Sequence, residues 1–198
     1  MVVQEVILAS SSAWRRGLLA STGLRVRAVA PGVDEASIVD DDPVNLATAR
    51  AEAKARAVAS RHPDATVLGA DQVVHLEGRS FGKPADAADH LAMLRRLQGR
   101  VHQLTTAVCL IDARGEESFC VHSHVRVRGD ADAAELAAYV ASGEAAGCAG
   151  GYMVERRGAW LVQHVSGDWN NVIGLPVAAV LDRLRARGWR LPETGIRR

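Results

Sequence analysis

Residues Thr66 to Phe81 read TVLGADQVVHLEGRSF, and this stretch decides the fold class. Thr66 to Leu76 has the composition of a strand, Glu77-Gly78 supplies turn chemistry, and Arg79 to Phe81 is expected to return as the second arm of a hairpin. Asp71 lies in the middle of the run, flanked by Val67, Leu68, Val73 and Val74. A carboxylate on a mostly buried strand is costly unless a cation, a metal or several hydrogen bonds meet it, which makes Asp71 a site candidate. An Asp that merely caps a turn at a strand end is the plainer alternative.

Working outward, short strand-like runs alternate with longer helical stretches, the pattern of an α/β or α+β domain. Upstream, Val6 to Ala9 reads as a strand, Trp14 to Ser21 as a helix with Leu18 and Leu19 inward and Gly23 as its stop, and Val26 to Val29 as a strand. Pro43 opens an alanine-rich helix to about Ser60, with Leu46, Ala53 and Ala57 toward a core. Downstream, Asp86 to Leu97 reads as a helix closed by Gly99. Val101 to Ile111 and Phe119 to Arg128 read as an antiparallel pair, and Asp132 to Ser142 as a helix ended by Gly143. After a glycine-rich loop, Trp160 to Val165 is an expected strand and Pro176 to Arg187 an expected last helix, stopped by Gly188.

The 198 residues fit one domain, or two lobes around one cleft, so residues 1–198 are expected to form a single unit. Hydrophobic residues make up 48% and charged residues 24%, an ordinary globular mix. A net charge of +1 argues against a nucleic-acid-coating role, so any anion site is local. Cys109, Cys120 and Cys148 form no C-x-x-C pair, which fits reduced thiols in a cytoplasm. The opening MVVQEVILAS lacks a basic leader, and no apolar run approaches a membrane span. Leu191 to Gly195 spells the pentapeptide that cell-wall sortases cleave, but no apolar anchor follows, and the match is read as coincidence.

Near the start, LASSSAWRR (Leu8 to Arg16) runs through three serines into a helix whose first turn holds Arg15 and Arg16. Ser12 is a natural N-cap. Two arginines beside a positive helix end conflict with the dipole unless an anion sits among them or they turn away into solvent. A bound phosphate would satisfy backbone N–H groups, serine hydroxyls and guanidinium forks together. Among 24 lysines and arginines only Lys54 and Lys83 are lysines, and Lys83 stands in the stiff turn Gly82-Lys83-Pro84, which could aim one compact ammonium. In PGVDE, Asp34 and Glu35 add carboxylates that with Asp71 could hold a divalent metal through oxygen. Asp40 to Asp42 read as a solvated lead-in to the next helix. His122 and His124 share a strand face without a third ligand. No G-x-S-x-G elbow, Walker A loop or G-x-G-x-x-G fingerprint is present.

Taken in order and spacing, LASSSAWRRGLL, PGVDE, AKARA, GADQVV, GKP, AGGYMVE and NNVIGLP resemble the Maf family of nucleoside triphosphate pyrophosphatases, over nearly the whole chain. The resemblance implies a Maf/ITPase-like α/β fold: a long, curved mixed sheet flanked by helices, with two lobes around a central cleft. It also implies hydrolysis of a nucleoside triphosphate to the monophosphate and diphosphate with a divalent cation, Mg²⁺ or Mn²⁺. By position, Asp71 matches the catalytic acidic residue and Glu35 the acidic residue that helps hold the metal, while Ser10, Arg15, Lys54 and Lys83 match the surroundings of the triphosphate. Trp14, Gln72 and Glu155 resemble the 7-methyl-GTP branch, whereas members acting on dTTP and UTP usually carry Arg, Thr and Gln there. A 7-methylguanine ring is cationic, so an indole face and a carboxylate suit it. The chain departs from the family at Ala13, Gly17 and Arg156-Arg157. The resemblance further implies a small-molecule nucleotide partner rather than nucleic acid or membrane, leaves a homodimer open, and carries the family's link to septum formation, where a non-catalytic nucleotide-binding regulator is the rival reading.

Overall fold

The computed structural model describes residues 5–190, so Met1 to Gln4 and the sortase-like pentapeptide lie outside the described residues. Among the described residues, seven strands form one mixed sheet. The first strand, β1 (Glu5–Ala9), is followed by α1 (Ala13–Ala20), β2 (Arg25–Ala28) and α2 (Pro43–Ala59). The hairpin read from the sequence is present as β3 (Thr66–Leu76) and β4 (Arg79–Phe81), with Glu77 and Gly78 at positive φ in its turn. Then come α3 (Ala87–Leu97), the long pair β5 (Val101–Asp112) and β6 (Gly115–Val127), α4 (Ala133–Ala141), β7 (Val162–Ser166), α5 (Trp169–Ile173) and α6 (Val177–Ala186). The sheet order is β2-β1-β3-β5-β6-β7, with β4 paired to β3; β1 is parallel to both neighbours and the other pairs are antiparallel. Among the described residues no helix is long and apolar enough to cross a membrane.

Alternation along β3 sends its two faces to different helices. Leu68 and Ala70 pack with Leu19, Val180 and Leu184 of α1 and α6, while Val74 joins Met93, Leu94, Leu136 and Tyr139 of α3 and α4. The opposite face, with Val67 and Val73, meets α2. Gly69 is the reason α2 comes so close: a Cβ there would press on Ala51 O and lie 2.7 Å from Ala55 N. The buried side of α2 is Leu46, Ala47, Ala51, Ala55 and Val58, whereas Ala53 and Ala57 are only half-buried. The expected phase is thus corrected, because the helix turns its smallest buried residues toward the missing side chain of Gly69.

Two other differences have local causes. Trp160 begins no strand but stands 76% exposed in a 3-10 turn, Arg157–Leu161, since β6 stops offering partners at Val127, which pairs with Val162. The five-residue α5 was not expected; Asp168 caps it by accepting from Asn171 N at 3.0 Å.

Gly69→Ala is expected to destabilise the protein by about 1–3 kcal/mol by overpacking, read as a lower urea midpoint at unchanged m-value. A wild-type midpoint would show that α2 retreats without cost. His102 gives a second expectation. It is buried, with Nε2 2.7 Å from Tyr152 OH, and burial, followed by the charges of His75 and His124, pushes its pKa down to about 4. The unfolded chain therefore binds the proton first: this contribution is fully present above pH 6.5, and as much as about 3 kcal/mol is lost as pH falls toward 4. Urea midpoints at pH 7.5 and 5 should fall more in wild type than in His102→Gln; equal slopes would contradict it.

Candidate functional site

One edge of β3 is shared by two strands that do not meet. β5 pairs with Val67 to His75 on the far edge, so β1, opposite Thr66 to Gly69, and β4, opposite Val74 to Leu76, must lie on the same near edge. Ala70 to Val73 are left between them without a strand partner there. Both β1 and β4 run toward this gap and end at it, so Ser10-Ser11-Ser12 and Gly82-Lys83-Pro84 leave into the same space. Crevices beyond the carboxyl ends of strands are where α/β sheets bind ligands. Here the crevice has a volume of about 900 Å³ and is lined by Ser10 to Arg15, Glu35, Asp71, Gln72, Lys83 and Glu155, among others.

The serine loop is internally braced. Ser10 Oγ accepts from Ser12 N at 3.1 Å, and Ser12 caps α1 by accepting from Arg15 N at 3.3 Å. Arg15 resolves its conflict with the helix dipole by reaching to carbonyl oxygens: Nε donates to Gly174 O at 2.9 Å and Nη1 to Ala70 O at 3.1 Å, on the open edge of β3. Burial lowers its pKa, opposed by the charges of Asp71 and Glu35, and guanidinium remains charged at any ordinary pH. Arg16 is exposed.

On the floor, Asp71 is buried and paired. Lys54 Nζ, itself buried, lies 2.7 Å from Asp71 Oδ1 and 3.0 Å from Glu35 Oε1. Lys54 therefore acts on the carboxylates and is no free phosphate ligand in this state. Glu35 is half-exposed. Two carboxylates from different segments converge on one point, a donor set that fits Mg²⁺ or Mn²⁺, which bind through one or two carboxylates with substrate oxygens and water completing the shell. Among the described residues no three His, Cys, Asp or Glu side chains are grouped to hold a metal without such help. Asp34 instead caps its own turn, accepting from Ala36 N at 3.1 Å, and Asp42 caps α2.

The outer wall comes from the loop before β7. Tyr139 OH accepts from Met153 N at 3.0 Å and donates to Glu144 at 3.2 Å, while Glu144 receives Arg157 N and Gly158 N. That frame holds the turn bearing Glu155. The next residue, Arg156, stacks its guanidinium 4.8 Å from the Trp14 ring centre, joining this wall to the start of α1. Trp14 is 42% exposed. Gln72 lines the cleft, but its amide donates to Thr106 Oγ1 at 3.0 Å and to Asn171 O. Lys83 is exposed at the rim. The Cys148 thiol is pushed up by burial and by Glu155, against Lys83, which disfavours the thiolate. His122 and His124 lie away from the cleft, and His122 Nδ1 is 2.9 Å from Thr105 Oγ1.

Sequence reasoning missed Arg50, which lines the cleft one helical turn before Lys54. The i, i+4 spacing to Lys54 was the signal that could have found it.

The profile of a family described as "Maf-like protein" matches residues 5–187. A protein of Deinococcus radiodurans named dTTP/UTP pyrophosphatase is 43% identical over 92% of this chain and 93% of its own length. One of the same name from Pelotomaculum thermopropionicum is 41% identical over 96% of this chain and all of its own. A protein of Aromatoleum aromaticum named 7-methyl-GTP pyrophosphatase is 38% identical over 97% of this chain and all of its own.

Removing Lys54 leaves a buried carboxylate unpaired, so Lys54→Met is expected to cost about 3–5 kcal/mol. The double variant Lys54→Met, Asp71→Leu should recover a large part of that in denaturant titrations. If the double is as unstable as the single, the ion pair is not what the helix depends on.

Proposed function

The chain belongs to the Maf family, and from that premise we propose that it hydrolyses a nucleoside triphosphate to the monophosphate and diphosphate, with 7-methyl-GTP as the preferred substrate. The observation that carries the chemistry is the Asp71–Lys54–Glu35 constellation on the floor of a cleft entered by the serine loop. Asp71, oriented by its 2.7 Å contact with Lys54, is positioned to take a proton from an attacking water. Ser10, Arg15 and Lys83 line the same space and suit the charge that builds on the phosphates as the diphosphate departs. Glu35 and Asp71 would hold the divalent cation, which when bound polarises a phosphoryl oxygen. The cleft volume is in the range of sites that enclose a small ligand.

The base preference rests on Trp14 and Glu155, which line one cleft. Arg156 stacks a planar cation on Trp14, so the indole can take a cationic ring, which must then displace that guanidinium or share the ring with it. Glu155 can accept from guanine N–H donors. The dTTP/UTP reading is favoured by a different observation, the name carried by relatives 43% and 41% identical. In that case the carboxylate of Glu155 would face a neutral pyrimidine.

A panel of 7-methyl-GTP, GTP, dTTP and UTP with Mg²⁺ or Mn²⁺ is expected to give the highest kcat/KM on 7-methyl-GTP. Trp14→Ala should lower that value by about tenfold while changing turnover of the pyrimidines far less. A pyrimidine preference in the wild type would replace the 7-methyl-GTP reading. Absence of diphosphate release from every nucleotide would leave the non-catalytic regulator, whereas full turnover by Asp71→Asn would remove Asp71 from the catalytic role.

A further inference from the structure

Within the cleft the cations are unequally committed. Lys54 is held by two carboxylates, and Arg15 gives Nε and Nη1 to carbonyl oxygens. Arg50 has no carboxylate partner among the described residues. Its Nη2 donates to Ile38 O at 3.1 Å, and its Nε is buried with no acceptor. That Nε is enclosed by protein, as are the Nε atoms of Arg128 and Arg187 elsewhere, whereas Nη1 has no acceptor among the described residues and is left to meet a ligand in the cleft that Arg50 lines.

The position says which acceptor. Arg50 precedes Lys54 by four residues on α2, so the two side chains share a helix face with roughly 6 Å of rise between them. Leu46 and Val73 meet in one cluster while Val58 meets Val67 in another, so the N-terminal end of α2 lies toward the β4 side of the gap. Arg50 is therefore displaced from the Asp71 carboxylate in the direction of Lys83, whose turn leaves β4. A planar fork of donors beside an ammonium is matched by a polyanion with several terminal oxygens, and a diphosphate is such a group.

We infer that Arg50 binds the diphosphate end of the substrate, together with Lys83, and holds it as it leaves. This rests on the hydrolytic reading above, and deepens it by assigning the leaving group a ligand. The competing role is purely structural: through Ile38 O, Arg50 would brace the segment that carries Glu35 without touching substrate.

The test titrates inorganic pyrophosphate, with Mg²⁺ present, into wild type, Arg50→Met and Arg50→Lys by calorimetry, beside the nucleoside monophosphate product of the best substrate, or UMP if none is turned over. Arg50→Met should bind pyrophosphate at least tenfold more weakly, Arg50→Lys should fall between it and wild type, and monophosphate affinity should stay within twofold. Product inhibition by pyrophosphate should weaken in the same order. Unchanged pyrophosphate affinity in Arg50→Met, equal losses for both products, or no pyrophosphate binding by wild type would each overturn the assignment. Failure of the hydrolytic reading is seen separately, as wild-type protein that releases no diphosphate from any triphosphate.

Discussion

The ion pair between Lys54 and Asp71 is the constraint on which the site is built. Neither group tolerates burial alone, and the 2.7 Å contact exists only because α2 lies directly on β3 at Gly69. A side chain at that glycine would lift the helix, and with it the ammonium that also meets Glu35. Packing and electrostatics are thus one arrangement: small alanines on α2 and a missing Cβ on β3 set the distance at which the ammonium meets the two carboxylates on the cleft floor.

The second organising feature is an interruption. A sheet edge covered continuously would offer no ligand access, and a bare edge would invite pairing with another chain. Here β1 and β4 cover β3 from opposite ends and stop short of each other, and Arg15 occupies part of the gap by donating to Ala70 O. Two loops far apart in sequence, the serine loop and the glycine-lysine-proline turn, line one cleft because both are strand exits at the same gap.

Much of this was legible beforehand. The hairpin from Thr66 to Phe81 has the predicted bounds, because period, length and turn chemistry agree there. Asp71 was recognisable as a buried charge in need of a partner, and the partner proved to be a lysine on the adjacent helix. The phase of α2 was not legible, since an alanine-rich helix has little apolar contrast, and Gly69 decides the phase from another element. Five-residue α5 is too short for periodicity to show. Lys54 was placed beside the phosphates on resemblance, whereas the structure commits its ammonium to Asp71 and Glu35. Arg50 was passed over because its one signal, the i, i+4 spacing to Lys54, gains meaning only once a fold puts both side chains in a cleft.

Arg156 shows how far a local departure reaches. It stands after Glu155, in a turn that Tyr139 and Glu144 hold rigid, and its guanidinium lies on Trp14 at the start of α1. The stack links the cluster around α3 and α4 to the helix that belongs with β1 and α6, across the mouth of the cleft. A planar base that uses the same indole face must displace the guanidinium, and one that uses the opposite face must share the ring with a cation. In either case Arg156 is set against a cationic base in a way that it is not against a neutral one, while Glu155 beside it pulls the other way. Under the proposed reading, base preference would reflect two neighbouring charges of opposite sign on one turn, Glu155 favouring a cationic ring and Arg156 competing with it for Trp14.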